Sequence, residues 1–520
     1  MDRRKGKFIL LAFLGSAALF VTLLYSVRSS IKSPDDYNVV LITINVLRAD
    51  HVSAYGYDRK TTPALDDLAQ ESYLFKNAFT QVGYTFPSMM SILTSIYPAS
   101  HRVYFAFKDK LPQSIKTLPE LFKLLDYTTA WFAPLEEPHL ALDAGYGRGF
   151  DSVHNVDIEL NGAEFIPQWI EEQSDQRFFL AMNFRHTHGP YFPKDMYRSV
   201  FKSGKKGKLI ENMRELESKV FDIMTAEVEV EGSITSQMFT RETVRNNKEY
   251  FSGAYTPRKF AKLEELILPD QHHKIGHLMM KIYDESVNKY SKENMEYFIS
   301  LYDACILGTD QEIIRPVIKA LKESGLYDKT MIIVTGDHGE SLGEHGIIGH
   351  GAAYYDEFIH VPLVIKMPYQ KEGKELDEIV ESIDIFPTIL EVVGMKEPFN
   401  IHGKSLVPVM SGDQGTYKKK LYAFGQNNDA AYLRSEDWKL VMFLKDIEDT
   451  AGDLDALYNL KDDPDELESV KSENFEKYQE LRALLKAHVG ALPDYTEVAH
   501  QFAPNIDKET QERIKRTGYW

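Results

Sequence analysis

Three stretches of the chain carry residues whose types could do chemistry. "GDHGESLGEHGIIGHG" (Gly336 to Gly351) sets Asp337 beside His338. A carboxylate oxygen and an imidazole nitrogen together make half of a divalent-metal site. The same residues also suit a glycine-rich turn with solvated polar groups. "GYTFPSMMSILTS" (Gly83 to Ser95) offers the hydroxyl of Thr85, just before a predicted helix N-terminus. Free N–H groups and the positive dipole end favour an anion there. A hydroxyl in front of such a place attacks phosphorus or sulfur when something lowers its pKa, as a metal ion does. The simpler reading of Thr85 is a helix cap. "FRHTHGPYFP" (Phe184 to Pro193) adds His186 and His188, and His350 lies within "GHG". Each could hold an anionic oxygen or protonate a leaving group, or be a surface histidine.

Elements that would position these groups follow from the pattern. Val39 to Ile44 is almost wholly apolar and β-branched, as expected of a strand buried on both faces. It ends at Asn45, where an open α/β sheet places its chemistry, and is followed by Val46. "FFLAMNF" (Phe178 to Phe184), "MIIVT" (Met331 to Thr335) and "VPLVIK" (Val361 to Lys366) are further predicted strands. Thr62-Pro63 predicts a capped helix through about Ser72. A second helix is expected from about Gln311 to Ser324, closed by Gly325, with Pro316 in its first turns. Alternating strands and helices give an α/β fold with a doubly wound, mostly parallel sheet.

The chain has 520 residues and a formal charge of -18. That acidity argues against a nucleic-acid partner, which needs a basic surface, and serves solubility. A single cysteine, Cys305, excludes an intramolecular disulfide framework and predicts buried packing. At the N-terminus, Arg3, Arg4, Lys5 and Lys7 precede an uncharged run from Phe8 to Val27. Twenty such residues span a hydrocarbon core of about 30 Å. The run predicts a retained transmembrane anchor rather than a cleaved signal peptide. The basic flank would stay cytoplasmic, leaving the globular part periplasmic or extracellular. Residues 1–33 are thus anchor and linker, 34–410 the α/β domain, and 411–520 a smaller C-terminal α+β subdomain. A charged helical insertion over 197–290 reads as a lid, a docking surface or a solvated elaboration. It contains Lys202 to Lys208 and the pair His273 and His277, weak metal ligands without a third.

Together these pieces resemble the sulfatase branch of the alkaline-phosphatase superfamily, from about Asn38 nearly to the C-terminus. "LRADHVSAYGYDRKTTPALDDLAQES" is similar to the family's opening region. "TFPSMMSILTSIYP" stands where the family has its C/S-x-P-x-R nucleophile segment. "HTHGPY" and "LKESGLYDKTMIIVTGDHGESLGEHG…GHGAAYYDEFIHVPLVI" resemble its histidine loop and second metal-ligand region. "IDIFPTILEVVG", "HGKSL", "DWKL", "LYNLKDDPDE" and "IKRTGYW" continue in family order. The resemblance assigns Asn45, Asp337 and His338 to metal positions, Thr85 to the nucleophile, and His188 and His350 to the anion.

The departures from the family pattern are local. Asn45 and Val46 replace an aspartate ligand and its polar neighbour, and Met89 replaces the arginine. Threonine cannot become formylglycine, since its oxidation gives a ketone. Superfamily relatives with a threonine nucleophile and one or more metals resemble Thr85 with Asp337 and His338. Two readings follow. One is a membrane-anchored hydrolase or transferase of an anionic phosphate, phosphonate or sulfate ester, using Thr85 and one divalent cation, calcium or magnesium rather than zinc. The other is a catalytically inactive sulfatase-fold binding or scaffold protein.

Overall fold

The computed structural model describes residues 37–104, 109–133, 144–156, 164–189, 191, 193–201, 292–351, 354–396, 400–412, 421–427, 429–444 and 454–495. The expected anchor, nearly all of the 197–290 insertion with His273 and His277, and the segment "IKRTGYW" lie outside these residues. Among the described residues no helix is long and apolar enough to cross a membrane.

The strands in chain order are Asn38–Ile44 (β1), Tyr73–Phe79 (β2), Thr128–Ala133 (β3), Ser152–Asn155 (β4), Phe178–Phe184 (β5), Thr330–Gly336 (β6), Ser341–Leu342 (β7), Ile348–Gly349 (β8), His360–Lys366 (β9) and Lys374–Glu381 (β10). Eight of them form one sheet in the order β10-β2-β9-β6-β1-β5-β3-β4, and β7 pairs with β8 alone. The sheet is mostly parallel, with β9 reversed against both β2 and β6. Alternation along β1 explains why it sits at the centre. Val40, Ile42 and Ile44 enter one apolar core, while Val39 and Leu41 enter the core on the opposite face. A strand with no polar face has no edge to offer water.

Helix Pro63–Ala69 (α1) ends three residues before Ser72. Thr62 stands at its cap position, but its hydroxyl binds Asp66 at 3.0 Å. The free N–H groups of Ala64 and Leu65 go instead to the carboxylate of Asp310, both at 2.9 Å. Helix Thr85–Thr94 (α2) begins one residue earlier than expected, so Thr85 is its first residue and Tyr84 its cap.

The helix expected from Gln311 starts much earlier, at Lys292. It runs as Lys292–Thr309 (α3), a π-turn over Asp310–Ile314, and Arg315–Glu323 (α4). Pro316 has no N–H to give the preceding turn, and the wider π-turn absorbs that loss. The C-terminal end is as expected. Gly325 adopts φ +66, and Leu326 N bonds Leu321 O at 2.8 Å while Gly325 N bonds Lys322 O at 3.2 Å. This is a Schellman closure.

Beyond Ser411 an antiparallel sheet contains Ala423–Gln426 (β11), Ala430–Arg434 (β12), Trp438–Phe443 (β13) and Ala456–Asn459 (β14). Ala431, Leu433, Leu440 and Leu457 on one face pack on Tyr478, Leu481 and Leu485 of helix Phe475–Ala491 (α5). Tyr432 on the other face packs with Phe79, Tyr354 and Phe358, tying this sheet to the larger one.

Candidate active site

Strands β5, β1 and β6 are parallel neighbours, and Ile44 is in register with both Phe184 and Gly336. The residues that follow them therefore leave the sheet at one edge, where ligands sit in open α/β folds. Asn45, Asp337 and the His188 loop meet there because the chain cannot place them elsewhere.

Asn45 is fully buried. Its backbone N–H bonds Phe184 O at 2.8 Å, and its Nδ2 donates to Thr85 Oγ1 at 2.8 Å. Among the described residues its Oδ1 finds no donor. Thr85 Oγ1 also lies 3.2 Å from His338 Nε2. His338 Nδ1 is 2.8 Å from Gly339 O. A carbonyl only accepts, so Nδ1 holds the hydrogen and Nε2 turns its lone pair toward Thr85. Thr85 itself is only partly buried.

Asp337 Oδ1 accepts Val46 N–H at 3.0 Å and His338 N–H at 2.7 Å. Val46 reaches that position with φ +53, a backbone region that β-branched residues rarely enter. Its carbonyl accepts from Tyr302 of α3 at 2.6 Å. The Val46 side chain and that of Met89 lie in the apolar cores on opposite faces of the sheet. Ser88 of α2 donates to Asp337 O, which ties α2 to the segment that follows β6.

His350 packs its ring 4.8 Å from His188 and 4.7 Å from His338. Burial, with the neighbouring His350, pushes the imidazoles of His188 and His338 below their ordinary values. Both are neutral near pH 7. His186 goes elsewhere: its Nε2 stands 3.1 Å from where a Cβ on Gly308 of α3 would be. Cys305 of α3 is fully buried, as expected.

Sequence reasoning missed Glu340, a buried acid 2.9 Å from His350 Nδ1. Burial pushes its carboxyl up, but His350, His188 and Tyr191 outweigh burial and hold it below the usual range. Its signal was an acid two residues past His338. Arg48 was missed as well. It is buried and bridges Asp50 at 2.7 Å and Glu344 at 2.8 Å.

Among the described residues no three His, Cys, Asp or Glu are grouped to hold a metal ion. What converges is one carboxylate, one amide, one imidazole and one hydroxyl. The orphaned Oδ1 of Asn45 is the feature that fits a hard cation, which takes oxygen ligands.

Comparison with known proteins gives the family and the fold. The family model described as Sulfatase matches residues 37–395. A second, described as N-sulphoglucosamine sulphohydrolase, C-terminal, matches residues 343–494. N-acetylglucosamine-6-O-sulfatase of Bacteroides thetaiotaomicron is 23% identical over 498 residues, covering 86% of this chain and 85% of that protein. Arylsulfatase K of Bos taurus is 28% identical over 228 residues, 41% of this chain. The match spans only 40% of arylsulfatase K's own length. A solved protein in complex with its substrate D-glucosamine-2-N,6-O-disulfate shares the fold at TM-score 0.63 and 20% identity, covering 87% of this chain and 97% of that one. Phosphonate monoester hydrolase of Agrobacterium radiobacter shares it at TM-score 0.61 and 20% identity, covering 87% and 96%.

Proposed function

The chain belongs to the sulfatase family, and we propose that it hydrolyses or transfers a phosphate, phosphonate or sulfate ester with Thr85 as nucleophile. One observation carries this reading. Thr85 Oγ1 is a partly open hydroxyl held between a donor, Asn45 Nδ2 at 2.8 Å, and an acceptor lone pair, His338 Nε2 at 3.2 Å. A nucleophile hydrogen-bonded to a base that a third group orients is the arrangement attack requires.

Asn45 Oδ1, the Asp337 carboxylate and His338 Nε2 would hold one hard divalent cation, calcium or magnesium; His338 Nε2 has one lone pair, so it would then give up its bond to Thr85, and the cation would take over activation of the hydroxyl. Such an ion lowers the pKa of a nearby hydroxyl and offsets the charge of an anionic ester. The residues themselves supply position. The Gly339 carbonyl fixes the His338 ring, and Asn45 Nδ2 fixes the Thr85 rotamer. In the reaction a bond forms from Thr85 Oγ1 to phosphorus or sulfur, and the bond from that atom to the leaving oxygen breaks. The Thr85 proton passes to the Nε2 lone pair of His188 or His350, and the N–H so formed holds the ester oxygens and returns that proton to the departing alcohol. Water or a second alcohol then displaces Thr85. An anionic ester is in keeping with the sugar disulfate bound by the structural relative. The uncharged run Phe8 to Val27 supports anchoring of this activity to a membrane, with the globular part outside the cytoplasm.

A second reading, a binding protein without turnover, is favoured by Met89. The side chain at the family's arginine position is 1% exposed and packed in the core. Assays of the full chain against aryl phosphate, phosphonate and sulfate esters, with calcium or magnesium, decide between the two. Turnover that Thr85→Ala abolishes is the expected result. Absence of turnover while the same esters still bind establishes the second reading instead.

A further inference from the structure

Only Val82, Gly83 and Tyr84 separate Thr85 from the segment Phe79–Gln81, and the C-terminal sheet grips that segment at each of its three residues. Arg434, at the end of β12, sets its guanidinium 4.7 Å over the Phe79 ring. Tyr432 OH donates to Thr80 O at 2.6 Å. Gln426 N–H of β11 bonds Gln81 O at 3.0 Å. Thr80, Gln81 and Tyr432 are fully buried, so water does not stand in for these bonds. Thr80 also reaches α2 directly. Ser88 gives its one hydrogen to Asp337 O, so its oxygen accepts from Thr80 Oγ1 at 2.8 Å.

Gly425 of β11 stands at the closest approach. It does not take positive φ, so glycine serves here for room and not for backbone freedom. A Cβ on it would overlap both Gln81 O and the Tyr432 ring. The hairpin can lie this close to Gln81 only while residue 425 has no side chain.

We propose that Gly425 and Tyr432 of the β11–β12 hairpin are positioning residues that set where Thr85 stands between Asn45 and His338. The proposal rests on the reading of Thr85 as the attacking group. A hairpin that only closed the core would pack side chains on its neighbour. This one fixes the carbonyls of two successive residues, Thr80 and Gln81, and with them the path of the backbone into Thr85. A displacement of that path by about 1 Å is enough to spoil an attack geometry.

The test compares the full chain with Gly425→Ala, Tyr432→Phe and a control, Leu485→Ala. Leu485 of α5 packs on the opposite face of the same sheet, so its truncation loosens the subdomain without touching Phe79–Gln81. On the ester that the wild type turns over, kcat should fall about 10- to 100-fold in Gly425→Ala and about 5- to 10-fold in Tyr432→Phe, with KM within about twofold. Leu485→Ala should unfold in denaturant at least as easily as Tyr432→Phe, yet keep kcat within about twofold. Crystal structures of the variants read the position itself. In Gly425→Ala, Thr85 Oγ1 should stand beyond about 3.5 Å from Asn45 Nδ2. Unchanged kcat in either hairpin variant overturns the proposal, as does Thr85 in its wild-type place in Gly425→Ala. A fall in kcat for Leu485→Ala as large as for Tyr432→Phe also overturns it, because the role would then be structural alone. If Gly425→Ala does not fold, Tyr432→Phe against Leu485→Ala still decides. A wild type without turnover sinks the preceding reading, and the crystal structures then still settle whether the hairpin places Thr85.

Discussion

Asn45 Nδ2 donates to Thr85 Oγ1 across 2.8 Å, so the residue at the family's aspartate position touches the proposed nucleophile directly. An amide does this with a donor where a carboxylate would offer only acceptors. The same side chain keeps its Oδ1 buried without a donor among the described residues.

Asn45→Asp should therefore strengthen cation binding. A unit charge about 4 Å from another is worth about 4 kcal/mol at an effective dielectric of about 20, and about 1.4 kcal/mol is already tenfold. Calorimetric titration of the full chain with calcium should show affinity at least about tenfold tighter than wild type. Equal or weaker binding would remove Asn45 from the cation site.

Val46 inverts the usual order of small residues. At an ordinary position glycine is less stable than alanine by about 0.5–1 kcal/mol. At φ +53 any Cβ costs about 1–2 kcal/mol. Val46→Gly should thus unfold in denaturant no more easily than Val46→Ala, although it removes more buried surface. A clearly less stable glycine variant would show that the backbone is not strained there.

Asp310 should give stability a pH dependence of its own. Burial pushes its carboxyl up to about 6, against the pull of the Ala64 and Leu65 N–H groups. Between about pH 4 and 6 the folded chain then holds more protons than the unfolded one, so this contribution is present at the acid end and fades as pH rises through that window. Asp310→Asn cannot ionise. Its unfolding free energy should fall less steeply than wild type from pH 4 to 6, and identical slopes would rule out this titration.

Lys439 is fully buried between two carboxylates, 2.7 Å from Asp356 Oδ1 and 2.8 Å from Glu466. It joins β13 to the segment that leads into β9. Removing the cation leaves Glu466 buried without its ion-pair partner, while Asp356 keeps Arg434 at 3.1 Å. Lys439→Met should cost about 3–5 kcal/mol in chemical unfolding. A loss under about 1 kcal/mol would mean that water reaches the cluster.

The central strands were legible in the sequence because no charged residue interrupts Val39 to Ile44 or Met331 to Thr335. Gly325 marked its helix end for a similar local reason, the need for positive φ. The true start of α3 at Lys292 was not legible, because the turn that bypasses Pro316 is set by packing and by Asp310 reaching α1. In the candidate site, Thr85, Asp337, His338, His188 and His350 do come together. Glu340 escaped notice because its partner lies ten residues further on, across the short β7–β8 hairpin. His186, which the sequence offered beside His188, turns toward Gly308 of α3 instead.

The central claim is that Thr85 attacks the ester, and rapid quenching during turnover of an aryl phosphate or phosphonate tests it most directly. Digestion and mass spectrometry of the quenched protein should find the phosphoryl or phosphonyl group on Thr85, and none in Thr85→Ala. Steady turnover with Thr85 unmodified at every quench time, or with the group on another residue, would contradict the account.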